Sequence, residues 1–279
     1  MDFVAIGHLT LDQTPRGAQP GGAAYYAAMT ARRLGLRVAL LTSCGPDFPA
    51  GALPSDVEVM NVPSDRTTVF RLEESPRGRR LSVLTRAADI EEGHLPGDWR
   101  GVPLAMLCPV INEVDPALAG SFAEASLGVS PQGWMRRRGA GGAIEPAPWD
   151  DADIVLPHAQ LLVVSLEDIE PSPKTALEWF QHVPLGAVTR GSEGAILFVN
   201  GERYHVEPDG AAEADATGAG DVFAAALLIE YYREANPWEA AAAAACAAAA
   251  SVEAPGATGI PDRSTLAARL AAYHHRLGS

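Results

Sequence analysis

The chain has 279 residues, 47% hydrophobic and 20% charged, an ordinary globular composition long enough for one large domain or two small ones. Its net charge of −14 argues against a nucleic-acid partner, since a phosphate backbone needs a basic surface, but leaves room for a local site for a small anion. Three scattered cysteines, Cys44, Cys108 and Cys246, form neither a metal spacing nor a disulfide framework, which fits a reducing, cytoplasmic setting. There is no basic-then-apolar leader at the N-terminus, and the alanine tract 240–250 is too short and too weakly apolar to cross a bilayer.

In chain order, "FVAIGHL" (3–9) reads as a buried strand, "GGAAYYAAMTARRLG" (21–35) as a helix opened by paired glycines and closed by Gly35, and "RVALLTSCG" (37–45) as the next strand. Strand–helix–strand order implies a parallel sheet with crossover helices. The rhythm breaks at 67–86, which reads as two strands around a Ser-Pro-Arg-Gly turn. It resumes in strands near 104–110, 126–130, 160–165 and 186–190, with a helix at 173–182. The segment 136–151 is loop-rich with a small hairpin as an option, and its three arginines read as a solvated turn rather than an anion patch. Asn200-Gly201 between two strand-like runs predicts a hairpin over 194–208. Helices are predicted at 220–233, 237–252 and 263–277.

The stretch "ADATGAGDVFAAALL" (214–228) poses a chemical question. Gly218 and Gly220 permit close backbone approach, and the apolar run behind them is helix-compatible, so the loop opens a helix whose free N–H groups attract an anion. A carboxylate there, Asp221, repels a phosphate unless it takes a proton from a hydroxyl attacking it. A capped helix, with Thr217 as cap and Asp221 as a first-turn acid, accounts for the stretch equally well.

"DATGAGD" (215–221) resembles the C-terminal signature of the ribokinase-like, or PfkB, carbohydrate kinases, with Ala216 a mild departure. The Gly-Gly helix at 21–35, "VTRGSEGA" (188–195) and "PGATGIP" (255–261) are similar to three further motifs of that family, in the right order. No Walker-type loop occurs, nor a Gly-x-Gly-x-x-Gly after the first strand. The resemblance implies an α/β, three-layer ribokinase-like fold: a central, mostly parallel sheet flanked by helices, with a small reduced β lid. The core would take 1–66 and 87–279 and the lid hairpin 67–86. It implies an ATP-dependent kinase transferring the γ-phosphoryl group to a hydroxyl of a small sugar or polyol. Asp221 would be the base, and the N–H groups of Gly218, Ala219 and Gly220 the anion hole. Asp12, Gly21, Gly22, Tyr26 and Glu113 would hold the acceptor. Thr189, Gly191, Ser192, Gly256 and Ala257 would hold the nucleotide. Mg²⁺ would be met by Asp168, with Glu167 as second candidate, through water, and a monovalent cation such as K⁺ would sit near Gly256 and Ala257.

Three departures from the family shape the expectation. Tyr26 stands where many members carry Asn, which disfavours ribose and leans toward a cyclitol such as myo-inositol. The usual Asn-x-x-Glu appears as Ser165 to Asp168. Only residues 13–20 separate Asp12 from Gly21, too few for the family's inserted lid strands, so the lid is expected to be 67–86 alone. A nucleoside kinase with Tyr25 or Tyr26 stacked on a base, and a non-catalytic binding protein on the same fold, are the alternatives. His8 and His158 read as ordinary loop or edge histidines, and Glu113 reads equally as a structural acid. No membrane or nucleic-acid partner is expected, and monomer and homodimer stay open.

Overall fold

Short apolar segments of four to seven residues alternate with helices along most of the chain, and the computed structural model, which describes residues 1–14, 17–75, 78–169 and 173–278, assembles them into two main sheets, a two-stranded antiparallel ribbon from 136–138 and 144–146, and their covering helices. The first strands are β1 (Phe3–Ile6), β2 (Thr10–Thr14), β3 (Gly17–Gly21), β4 (Val38–Cys44) and β5 (Glu58–Pro63). Next come β6 (Thr68–Ser75), β7 (Gly78–Thr85), β8 (Leu104–Leu107), β9 (Ser126–Val129), β10 (Arg136–Arg138) and β11 (Ile144–Pro146). The last four are β12 (Leu161–Ser165), β13 (Leu185–Thr189), β14 (Ala195–Val199) and β15 (Glu202–Val206). The helices are α1 (Ala23–Arg33), α2 (Ala152–Val155), α3 (Leu166–Ile169), α4 (Pro173–Trp179), α5 (Ala219–Glu234), α6 (Pro237–Ser251) and α7 (Arg263–Gly278).

Nine strands form the large sheet in the order β15-β14-β13-β12-β9-β8-β1-β4-β5. From β5 to β13 every pairing is parallel, and the β14–β15 hairpin closes one edge antiparallel. The hairpin turns at Asn200 and Gly201, both at positive φ (49° and 81°), as the Asn-Gly signal predicts. A parallel sheet must be covered on both faces, and β1 shows how. Phe3 and Ala5 pack into one core with α1, α5 and α6, while Val4 and Ile6 pack into the other with Trp99, Leu118, Phe122 and Phe180. Ala240 to Ala247 of α6 are buried, and their small side chains let the helix lie close against its neighbours. No helix among the described residues is long and apolar enough to cross a membrane.

The second sheet has the order β3-β2-β6-β7 and corrects the expectation of a lid made from 67–86 alone. Residues 10–14 and 17–21 form a hairpin, and β2 pairs in parallel with β6, Thr10 opposite Thr68 and Asp12 opposite Phe70. Pro20 lies on β3, an edge strand, where a missing N–H is tolerated. The turn residues Pro76 and Arg77 lie outside the described residues.

Candidate active site

Helix α5 begins at Ala219, with Gly218 as its N-cap in the left-handed region (φ 79°) and no side-chain cap. The capped-helix reading of Thr217 therefore fails. Its own N–H donates to Asp215 Oδ1 at 3.0 Å. Asp215 also accepts from Gly256 N at 3.2 Å, so one carboxylate ties the glycine loop to the 256–259 turn. First-turn N–H groups of a helix have no partner within it, and here no side chain serves them. That of Ala219 donates to Ala216 O at 3.3 Å, leaving Gly218 and Gly220 as the freer part of the expected anion hole.

A second feature favours glycine at 218. A Cβ there would stand 2.5 Å from the Tyr26 ring, while at Gly220 nothing lies within 4 Å. Tyr26 thus supports the glycine loop with its ring face, and its edge-on neighbour Tyr25 (centroids 5.5 Å apart) is buried outside the cavity. Of the two tyrosines considered for stacking on a base, Tyr26 is the one that lines the cavity.

A cavity of about 190 Å³ joins the two sheets at this point. Asp221, Gly218 and Thr217 form one wall, Thr10, Asp12, Gln13 and Thr14 another. Phe70, Leu72 and Leu81 of the small sheet make an apolar roof, and Gly22, Ala23, Tyr26, Val110, Gln132 and Arg136 complete the lining. Asp12 accepts from the Thr10 hydroxyl at 3.0 Å. Gly21 is needed beside it, since a Cβ would fall 2.2 Å from Asp12 Oδ2. Burial pushes the Asp12 carboxyl up to about 6, against the Thr10 hydrogen bond and helped by the charge of Asp215. Asp221 is raised further, to about 7: burial is the main cause, Arg136 opposes it, and the charges of Asp168 and Asp12 add to it.

Arg136 is the residue that sequence reasoning passed over as part of a solvated turn. It lines the cavity, with Nη2 2.8 Å from Gln132 Oε1, Nη1 3.3 Å from Val110 O, and Asp168 Oδ1 at 3.9 Å. Its charge in a loop-rich segment was visible; its approach to Asp221 was not.

The other expected residues fall into three groups. Glu113 is withdrawn from the acceptor set. It is 1% exposed, and its carboxylate accepts from the N–H groups of His8 (3.1 Å), Val110 (2.9 Å) and Ile111 (2.7 Å), so it braces the turn after β8. Thr189, Gly191, Ser192, Gly256 and Ala257 lie off the cavity lining. Gly191 and Gly256 are at positive φ (56° and 57°), and Thr189 Oγ1 donates to Val164 O at 3.4 Å. Asp168 and Glu167 open α3. No cluster of three metal-ligating side chains occurs among the described residues. Burial raises the Asp168 carboxyl above its ordinary value, the Arg136 charge opposes that, and its own charge adds to the raising of Asp221.

Residues 144–263 match the model of the pfkB family carbohydrate kinases. A pyrophosphate-dependent kinase of the ribokinase family, solved with a pyrophosphate analogue and myo-inositol, superposes with a TM-score of 0.79 at 20% identity, over 96% of this chain and 99% of the other. The ribokinase of Thermotoga maritima gives 0.75 at 20% identity over 97% and 99%. The resemblance read from the motifs is borne out: the chain has the ribokinase-like three-layer fold and carries the pfkB signature in its C-terminal half. Among curated proteins, the cytidine kinase of Thermococcus kodakarensis is 24% identical over 259 residues, covering 84% of this chain and 89% of that protein.

Proposed function

We propose that this protein is an ATP-dependent kinase that phosphorylates a hydroxyl of a small sugar or polyol, with a cyclitol such as myo-inositol as the favoured acceptor. The observation that carries the reading is Asp221: a carboxylate raised to about 7, in the first turn of α5, lining one cavity with Asp12 and Arg136. A base titrating near neutrality suits proton abstraction from a hydroxyl. Asp12 accepts hydrogen bonds from two neighbouring acceptor hydroxyls and so holds the third toward Asp221. As the acceptor oxygen bonds to the γ-phosphorus and the β–γ bridge oxygen departs with its electron pair, the hydroxyl proton passes to Asp221. The N–H groups at the start of α5 and the Arg136 guanidinium face the charge on the transferring group, which is where phosphoryl-transfer enzymes place their stabilisation. A magnesium ion held through Asp168, with Glu167 beside it, would neutralise the donor phosphates. Thr189, Gly191, Ser192, Gly256 and Ala257 are the proposed nucleotide contacts, with a monovalent cation such as K⁺ beside the last two.

A nucleoside acceptor is the second reading, favoured by the apolar roof of Phe70, Leu72 and Leu81, on which a base would rest, and by the cytidine kinase relative. The deciding experiment measures phosphoryl transfer to myo-inositol, fructose, ribose, adenosine and cytidine with MgATP, and with pyrophosphate as a second donor. Highest kcat/KM for myo-inositol or fructose supports the polyol reading, and highest kcat/KM for cytidine or adenosine supports the nucleoside reading. Binding of acceptor without transfer from either donor, equal in wild type and Asp221→Asn, identifies a binding protein and overturns the kinase assignment.

A further inference from the structure

We propose that His8 is a positioning residue for the acceptor cavity, its ring joining both roots of the β6–β7 hairpin to the end of β1. His8 stands in the short connection between β1 and β2, the loop position expected of it, but it is wholly buried there. Its Nε2 lies 2.7 Å from Ala88 O, and its Nδ1 lies 2.8 Å from Thr68 Oγ1. A carbonyl only accepts, so Nε2 carries the hydrogen and Nδ1 accepts from the Thr68 hydroxyl. Thr68 Oγ1 in turn accepts from Ala87 N at 2.8 Å. The bonds form one directed chain: Ala87 N–H to Thr68 Oγ1, Thr68 O–H to His8 Nδ1, His8 Nε2–H to Ala88 O. Every donor and acceptor in it is used once, and the opposite tautomer breaks it at Ala88.

The partners give the ring its role. Thr68 is the first residue of β6, and Ala87 and Ala88 stand two and three residues past the end of β7, so both strands that carry the cavity roof are held near their base by one imidazole. The backbone N–H of His8 donates to Glu113, whose carboxylate also holds Val110, a residue of the cavity wall. Two and four residues beyond His8 stand Thr10 and Asp12. Their strand pairs with β6 in the register Thr10–Thr68, Asp12–Phe70. Bonding His8 to Thr68 therefore sets the register that brings Asp12 under Phe70, and both line the cavity. A buried leucine would fill the space but would not specify that register.

The inference rests on reading the cavity as the acceptor site, and its test keeps the two separable. In the full chain, ¹⁵N NMR of the wild-type imidazole is expected to show the Nε2–H tautomer; the Nδ1–H tautomer overturns the proposal. Without any ligand, His8→Leu is expected to speed amide exchange in 68–72 and 83–88 about tenfold while 104–107 is unchanged, and His8→Gln, which keeps a donor toward Ala88, to fall between. Wild-type exchange in His8→Leu overturns the proposal. If that variant does not fold, Thr68→Val takes its place with the same expected pattern, and wild-type exchange there is equally fatal. With whichever acceptor of the panel above is turned over, His8→Gln is expected to raise acceptor KM about fivefold with the KM for ATP unchanged. A rise in both KM values together refutes positioning. Should no acceptor be turned over by the wild type, the kinase reading falls while the tautomer and exchange results still decide the role of His8.

Discussion

At the scale of single residues, the site is a set of carboxylates held near neutrality by burial. Asp221 titrates at about 7, so kcat/KM is expected to rise with unit slope through acid pH and level off above about 7, as the base loses its proton. Asp221→Asn removes the proton acceptor while keeping size, and turnover should fall by about 10²–10⁴-fold with ATP binding retained. Near-wild-type turnover in that variant, or a flat profile in the wild type, disproves the assignment. The two glycines of the loop give a second prediction. Gly218→Ala meets both a positive φ and the Tyr26 ring, and should cost about 2–4 kcal/mol in urea unfolding. Gly220→Ala meets open space and should leave stability near wild type while lowering turnover, because that space is where the transferring phosphoryl group would lie. Equal stability loss in the two variants would contradict the geometry.

At the scale of elements, the small sheet supplies the apolar roof of the cavity proposed to take the acceptor. Leu72 is 38% exposed although it lines the cavity, which means that the roof is only partly covered in the empty protein. Water must be kept from the donor phosphate during transfer. Leu72→Ala combined with Leu81→Ala is expected to raise acceptor KM about three- to tenfold and increase ATP loss to water, with the fold intact, since neither residue belongs to the fully buried core. Measuring ADP release with and without acceptor checks this. Transfer as tightly coupled as wild type would show that the roof does not close over the reaction. Much of this sheet was hidden from sequence reading. Strands β6 and β7 show the expected β-branched and apolar alternation, but "GAQPG" has neither, and β3 exists because β2 offers it an edge. β5, "EVMNVP", was missed for a related reason. It is an edge strand with five exposed residues of six, so no apolar period marks it.

At the scale of the molecule, the same burial that raises the Asp221 carboxyl weakens the fold. Below about pH 4 the carboxyl is protonated in both folded and unfolded chains and contributes nothing. Between its ordinary value of 3.8 and about 7 the unfolded chain loses the proton and the folded chain keeps it, so stability falls as pH rises, and the cost is complete above about 7. Asp221→Asn should therefore be more stable than wild type by about 1–3 kcal/mol at pH 8, after allowance for solvent screening, and equal to it near pH 4. Urea unfolding at the two pH values tests the sign. A variant less stable at pH 8 would mean that the ionised carboxylate is favoured by its surroundings.

Local pattern alone determined the layered core. Short apolar runs between helices imply buried parallel strands, Asn200-Gly201 implies its hairpin, and the Gly-rich loop before an apolar run implies a helix start with Asp221 in its first turn. These are decided within a few residues by backbone conformation and hydrophobic period. What the tertiary structure decided is which distant side chains meet there. Arg136 comes into the cavity because Gln132 and Val110, on separate turns, hold its guanidinium. Glu113 leaves the acceptor set because three backbone N–H groups converge on it. His8 becomes a joint between the sheets because Thr68 and Ala88 arrive on either side of its ring. A charge or an imidazole has the same local propensity whether it meets solvent or a partner, so its role is set only when packing fixes the distance between segments remote in the chain.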